Sequence, residues 1–206
     1  MVREINSVRL VNTGFLISSF TDEELLPVRE EMNKLLNDSS SAQRYNHNLV
    51  GHLQSQYALF SLKEYMNNLL HPFVAEYRKH FPDFSYDKDD YNLENIWINF
   101  QTRTEFNPLH YHLGRFSYAL WLNIPYLIED ERSVFPYIKE DENLTGSFVF
   151  YYPDGGESNG GIARHIIPAD RTYENKIIFF PANLNHCVYP YYTTDELRIS
   201  LSGNFT

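Results

Sequence analysis

The 206-residue sequence predicts a mainly β fold with N-terminal helices, the helices lying on one sheet of an antiparallel barrel or sandwich. Three observations carry this. Apolar residues recur at helical spacing within the first eighty residues. After residue 93 come short runs rich in aromatic and β-branched residues, broken by Pro, Gly and Asn. Aromatic residues reach 16%, which favours strands and a pocket lined with rings.

Taken in order, residues 8–20 read as extended. Thr21 or Asp22 is the expected helix N-cap, with Glu23 and Glu24 in the first turn, where the helix dipole favours acids. Leu25, Val28, Met32, Leu35 and Leu36 keep helical spacing to about Asn37, where Asp38-Ser39-Ser40-Ser41 ends the run. Pro27 falls near the helix start, where proline is tolerated. Residues 42–55 read as an irregular connection, and Gln56 to His80 as a second helical region. Pro72 predicts a break or kink near His71, and Phe81-Pro82 stops the helix. The segment 82–92 is acidic and turn-like. Strands are expected at 93–101, 116–124, 146–152, 161–167, 176–180, 187–192 and 197–205. The charged stretch Glu129 to Glu142 is a candidate lid or rim loop, with a plain surface loop as the equal alternative. This organisation implies one domain, with 1–92 as helical support and 93–206 as the β core.

Composition narrows the functional classes. Hydrophobic residues make up 43% and charged residues 21%, an ordinary globular balance. The net charge of −10 argues against non-specific binding to nucleic acid or to an anionic membrane. A single cysteine, Cys187, excludes an internal disulfide and fits a reducing cytoplasm. No apolar run approaches the ~20 residues a membrane helix needs, and no basic-then-apolar leader opens the chain. A homodimer is compatible with all of this.

The chemistry-bearing stretch is Asn107-Pro108-Leu109-His110-Tyr111-His112. On an extended strand, His110 and His112 share a face. Imidazole is the commonest metal ligand, yet two solvated loop histidines are the bland alternative. His186 changes the balance. It follows the strand ending in Phe180-Pro181 by a short turn, which brings it toward the first pair. Farther on, Arg198, Ser200 and Ser202 alternate with Leu197, Ile199 and Leu201. That polar stripe is costly inside a barrel unless it meets an anion. A guanidinium with a neighbouring hydroxyl suits a carboxylate; a surface salt bridge is the alternative.

His-x-His, a distal His and Arg-x-Ser together resemble the double-stranded β-helix, a jelly-roll or cupin-like barrel, of Fe(II)/2-oxoglutarate-dependent oxygenases. The likeness is to their prolyl-hydroxylase branch. Trp97-Ile98-Asn99-Phe100-Gln101, the His110 stretch and Arg198-Ile199-Ser200-Leu201-Ser202-Gly203-Asn204 further resemble oxygenases of marine cyanobacteria and their tailed phages. The resemblance covers most of residues 93–206. It implies a 2-oxoglutarate/Fe(II)-dependent dioxygenase that hydroxylates a protein side chain such as prolyl, or a small molecule, releasing succinate and CO2. It also implies His110 and His186 as metal ligands, Arg198 with Ser200 on the distal carboxylate of 2-oxoglutarate, ascorbate as an optional reductant, and residence in host cytoplasm if the chain is phage-encoded. The departure is at position 112, where the wider superfamily carries Asp or Glu. His112 is then a third ligand, or points away, or yields to a carboxylate from elsewhere such as Glu105 or Asp154; the first is favoured. A neutral third ligand leaves the metal more electrophilic.

Two other readings share the barrel. A cupin-type oxygenase with a three-His site needs no 2-oxoglutarate, but Leu113-Gly114-Arg115 stands where its glutamate is expected, and Arg198-x-Ser200 would lose its purpose. A non-catalytic barrel leaves the three histidines and the arginine unexplained. Cys187 should point away from its neighbour His186, as a packed thiol. Asn99 and Asn204 are polar residues in strand-like runs, without an assigned role.

Overall fold

A computed structural model describes residues 13–154 and 161–206. Among these residues, ten strands form two antiparallel sheets. The strands are β1 (Leu16–Ser19), β2 (Ser55–Ala58), β3 (Leu93–Gln101), β4 (Asn107–His110), β5 (Phe116–Asn123), β6 (Phe148–Pro153), β7 (Ile162–Ile167), β8 (Lys176–Pro181), β9 (Asn185–Val188) and β10 (Arg198–Phe205). The larger sheet runs β1-β8-β5-β10-β3-β2 and the smaller β4-β9-β6-β7. This is the mainly β jelly-roll architecture with N-terminal helices that the sequence implies.

The helices are α1 (Asp22–Asn37), α2 (Lys63–His80) and the short α3 (Ile128–Ser133). Thr21 caps α1 in a reciprocal box with Glu24: each backbone N–H donates to the other's side-chain oxygen. Leu25 and Val28 of α1 and Met66, Leu70, Val74 and Tyr77 of α2 bury against Ile96, Ile98, Ile199, Leu201 and Phe205 of the larger sheet. Alternation along each strand then fixes the opposite face. On β3 it presents Asn95, Trp97, Asn99 and Gln101, and on β10 Arg198, Ser200, Ser202 and Asn204. The apolar faces meet helices, and the polar faces line the space between the sheets.

The structure departs from the sequence reading in several places. Of the expected extended run 8–20, residues 8–12 lie outside the described residues, and the strand proper is Leu16–Ser19. Residues 55–58 form β2 rather than the start of a helix, because pairing with β3 overrides their weak local pattern. Pro72 does not divide α2. It sits on the exposed side, where water can take the carbonyl it leaves free, while Leu70 and Val74 hold the buried side on either flank. The strand expected at 187–192 is β9, which runs earlier and shorter, from Asn185 to Val188, so His186 lies within it, after the short turn that the sequence implies. The charged stretch 129–142 is anchored rather than loose. Glu131 is fully buried, and its carboxylate accepts from the Tyr192 and Thr193 amides at 2.7 and 2.9 Å and from the Thr193 hydroxyl. No helix among the described residues is long and apolar enough to cross a membrane.

Candidate metal centre

His110 ends β4 and stands directly opposite His186 on β9. His112 lies just past β4, and its backbone N–H donates to the Ala182 carbonyl at 2.7 Å, in the β8–β9 turn. Gly114, at φ +111°, then turns the chain into β5; an added Cβ would stand 2.8 Å from the Phe205 carbonyl. One bonded framework therefore holds all three rings. Their centroids are 4.3 Å (His110–His186), 4.9 Å (His110–His112) and 5.1 Å (His112–His186) apart. One ring nitrogen from each lies within 4.8 Å of the others.

The protonation pattern follows from the partners. The Nδ1 atoms of His110 and His186 face the Pro108 and Leu184 carbonyls at 2.7 and 2.8 Å. A carbonyl only accepts, so each Nδ1 carries the proton and each Nε2 presents a lone pair. Burial lowers the pKa of all three rings, that of His112 to about 3, with His110 adding to the effect. Phe148 stacks on His186 at 5.3 Å and 10°, and Phe180 meets it edge-on. Neutral imidazoles backed by carbonyls and walled by rings fit a divalent metal.

Among the described residues this group contains no carboxylate. Glu105 is engaged elsewhere, its two oxygens taking the Gln54 and Thr102 amides at 2.9 Å each. Asp154, just past β6, is not in the group either.

The histidines open onto a cavity of ≈ 380 Å³ that also reaches Arg198 and Ser200. Arg198 is 3% exposed, and among the described residues no carboxylate lies within ion-pair distance of it. Its N–H groups go to neutral acceptors. Nε and Nη2 share Gln101 Oε1 at 3.1 and 2.7 Å; Nη1 reaches the Tyr126 hydroxyl and the Gly146 carbonyl; Nη2 also reaches the Tyr189 carbonyl. A buried cation without an anion fits an incoming carboxylate in charge. Its hydrogen bonds must be exchanged for that, and Gln101 Oε1 holds the edge a bidentate carboxylate would take. Sequence reasoning missed Gln101, Tyr126 and Gln56. Their roles depend on strand pairing, and nothing local marks them. Cys187 is buried with Leu144 and Val149, and burial raises its thiol to about 11.

No family profile matches the chain, and no curated protein matches it. Solved structures do share its fold, and those described here are non-haem 2-oxoglutarate enzymes or prolyl hydroxylases. A prolyl-4-hydroxylase of Pseudomonas putida superposes with a TM-score of 0.56 at 12% identity, over 94% of this chain and 92% of that one. A prolyl hydroxylase of Trichoplax adhaerens, solved with a peptide of hypoxia inducible factor, gives 0.56 at 11%, over 93% and 83%. The alpha-ketoglutarate-dependent epimerase SnoN from nogalamycin biosynthesis gives 0.58 at 15%, over 94% and 78%. At these identities the likeness shows the fold.

Proposed function

We propose that this protein is an Fe(II)- and 2-oxoglutarate-dependent dioxygenase acting as one domain. His110, His112 and His186 would hold the metal, and Arg198 with Ser200 the distal carboxylate of 2-oxoglutarate. The observation that carries the reading is the pairing, in one cavity, of three convergent neutral imidazoles with a buried guanidinium that has no counter-ion among the described residues. When bound, the metal and cosubstrate would supply, with O2 as the oxidant, oxidative decarboxylation to succinate and CO2 coupled to oxidation of the substrate, one oxygen atom going to succinate and, in the default hydroxylation, the other to the substrate. The chain's own part is to fix the imidazole tautomers, to offer a cation to the carboxylate, and to keep the metal against apolar rings. A prolyl-like protein side chain or a small molecule is the primary substrate, and ascorbate an optional reductant.

A second reading has one observation in its favour: the Arg198 N–H groups are engaged by neutral acceptors. In that reading the three-His site oxidises its substrate without 2-oxoglutarate. Anaerobic Fe(II) protein mixed with 2-oxoglutarate separates the two. The weak metal-to-ligand charge-transfer band in the visible is expected, with Arg198→Ala weakening 2-oxoglutarate by about 100-fold, as for a lost charge-assisted pair. A metallated sample without the band favours the second reading.

A further inference from the structure

Buried amides are expensive unless satisfied, and the polar face of the larger sheet carries two side by side: Gln56, 1% exposed, and Asn99, 6% exposed. Gln56 comes from β2 and Asn99 from β3, register partners across the strand pair. They form the middle of a hydrogen-bond chain that ends at Ser200.

The orientation of each amide can be deduced. Asn46 faces the Leu53 backbone carbonyl at 2.7 Å, and a carbonyl only accepts, so the facing atom is Nδ2. The same Nδ2 reaches the Gln56 side chain at 3.4 Å, which makes the contacted atom Oε1. Gln56 Nε2 is thereby turned to Asn99 and donates to its Oδ1 at 2.8 Å. Asn99 Nδ2 is left to donate to Ser200 Oγ at 3.2 Å. The Ser200 hydroxyl has thus accepted from within the protein and keeps its own proton to give. Among the described residues nothing accepts that proton, and Ser200 lines the cavity beside Arg198.

We infer that Asn46, Gln56 and Asn99 are positioning residues that make Ser200 a hydrogen-bond donor to the cosubstrate carboxylate beside Arg198. This rests on the proposed function. The chain starts in a segment whose next residues, Asn48 to Gly51, line the cavity, with Val50 half exposed. The cavity's open side and its carboxylate anchor are therefore joined by one string of oriented groups. Reversing the first group reverses every group after it.

Asn46→Asp makes that reversal with one further loss, because a carboxylate only accepts: its oxygens turn from the Leu53 carbonyl, which is left unpaired, toward Gln56. Gln56 Nε2 then turns to it, Gln56 Oε1 faces Asn99 Nδ2, and Ser200 donates inward to Asn99 Oδ1. The readout is the 2-oxoglutarate dissociation constant of the anaerobic Fe(II) protein, titrated by the charge-transfer band, with Fe(II) affinity measured separately. Asn46→Asp should weaken 2-oxoglutarate by about tenfold, the worth of one hydrogen bond to a charged group, and leave Fe(II) affinity unchanged. Ser200→Ala should weaken it similarly, and the double variant no further. Should Asn46→Asp fail to fold, Gln56→Met breaks the chain one link on, and the same non-additivity with Ser200→Ala is expected. Unchanged 2-oxoglutarate affinity, or effects that add in full, would overturn the inference. Wild-type protein that binds Fe(II) but shows no band overturns the cosubstrate reading itself, and this inference with it.

Discussion

At the scale of single residues, His112 is the most consequential side chain. It stands where the resemblance implies a carboxylate, and its ring is neutral: burial, then the neighbouring His110, holds its pKa at about 3. The ordinary value is roughly 6.5, which the unfolded chain should show. The folded value is the lower one, so this stabilising contribution is complete above pH ~6.5 and is lost as pH falls toward the folded value. Between the two, unfolding takes up a proton. Metal-free protein should therefore lose melting temperature as pH falls from about 6.5 toward about 3, and His112→Gln should flatten that slope. Equal slopes in the two proteins would contradict the assigned environment. The three histidines were legible in the sequence because imidazole is chemically distinctive and His-x-His is a readable spacing. Gln101 and Tyr126 were not, since a glutamine and a tyrosine become partners of Arg198 only once β3, β10 and the segment after β5 are assembled.

At the scale of elements, local signals and tertiary pairing divided the outcome. The α1 start was legible because its cap candidates, Thr21 or Asp22, and the first-turn acids lie within four residues; the structure makes Thr21 the cap, and its reciprocal box with Glu24 was not read from the sequence. β2 and β4 were not. Each is four residues long and owes its strand geometry to a partner distant in sequence. The charged stretch after β5 reads from composition as a lid or rim loop or a plain surface loop, and Glu131 anchors it to the Tyr192 and Thr193 amides. Glu131→Ala would leave two backbone N–H groups without their acceptor and should cost roughly 2–4 kcal/mol. The checks are thermal unfolding and hydrogen exchange at the Tyr192 and Thr193 amides, which should be slow in the wild type and fast in the variant. Fast exchange in both would restore the lid.

At the scale of the whole molecule, the fold class was legible because helical and strand periodicities occupy different halves of the chain. The order of strands was not, since antiparallel partners such as β3 and β10 are about a hundred residues apart. That pairing decides which polar residues share the interior. It turns an acidic chain of net charge −10 into one whose cavity reaches a buried guanidinium and converging imidazole lone pairs. The central claim is that three imidazoles of this chain, and no carboxylate, hold one metal ion. X-ray absorption fine structure of the anaerobic Fe(II) protein tests it most directly, through the multiple-scattering signature of imidazole rings. Three rings per iron in the wild type and two in His112→Ala is the expected result. Two rings in both proteins would contradict it.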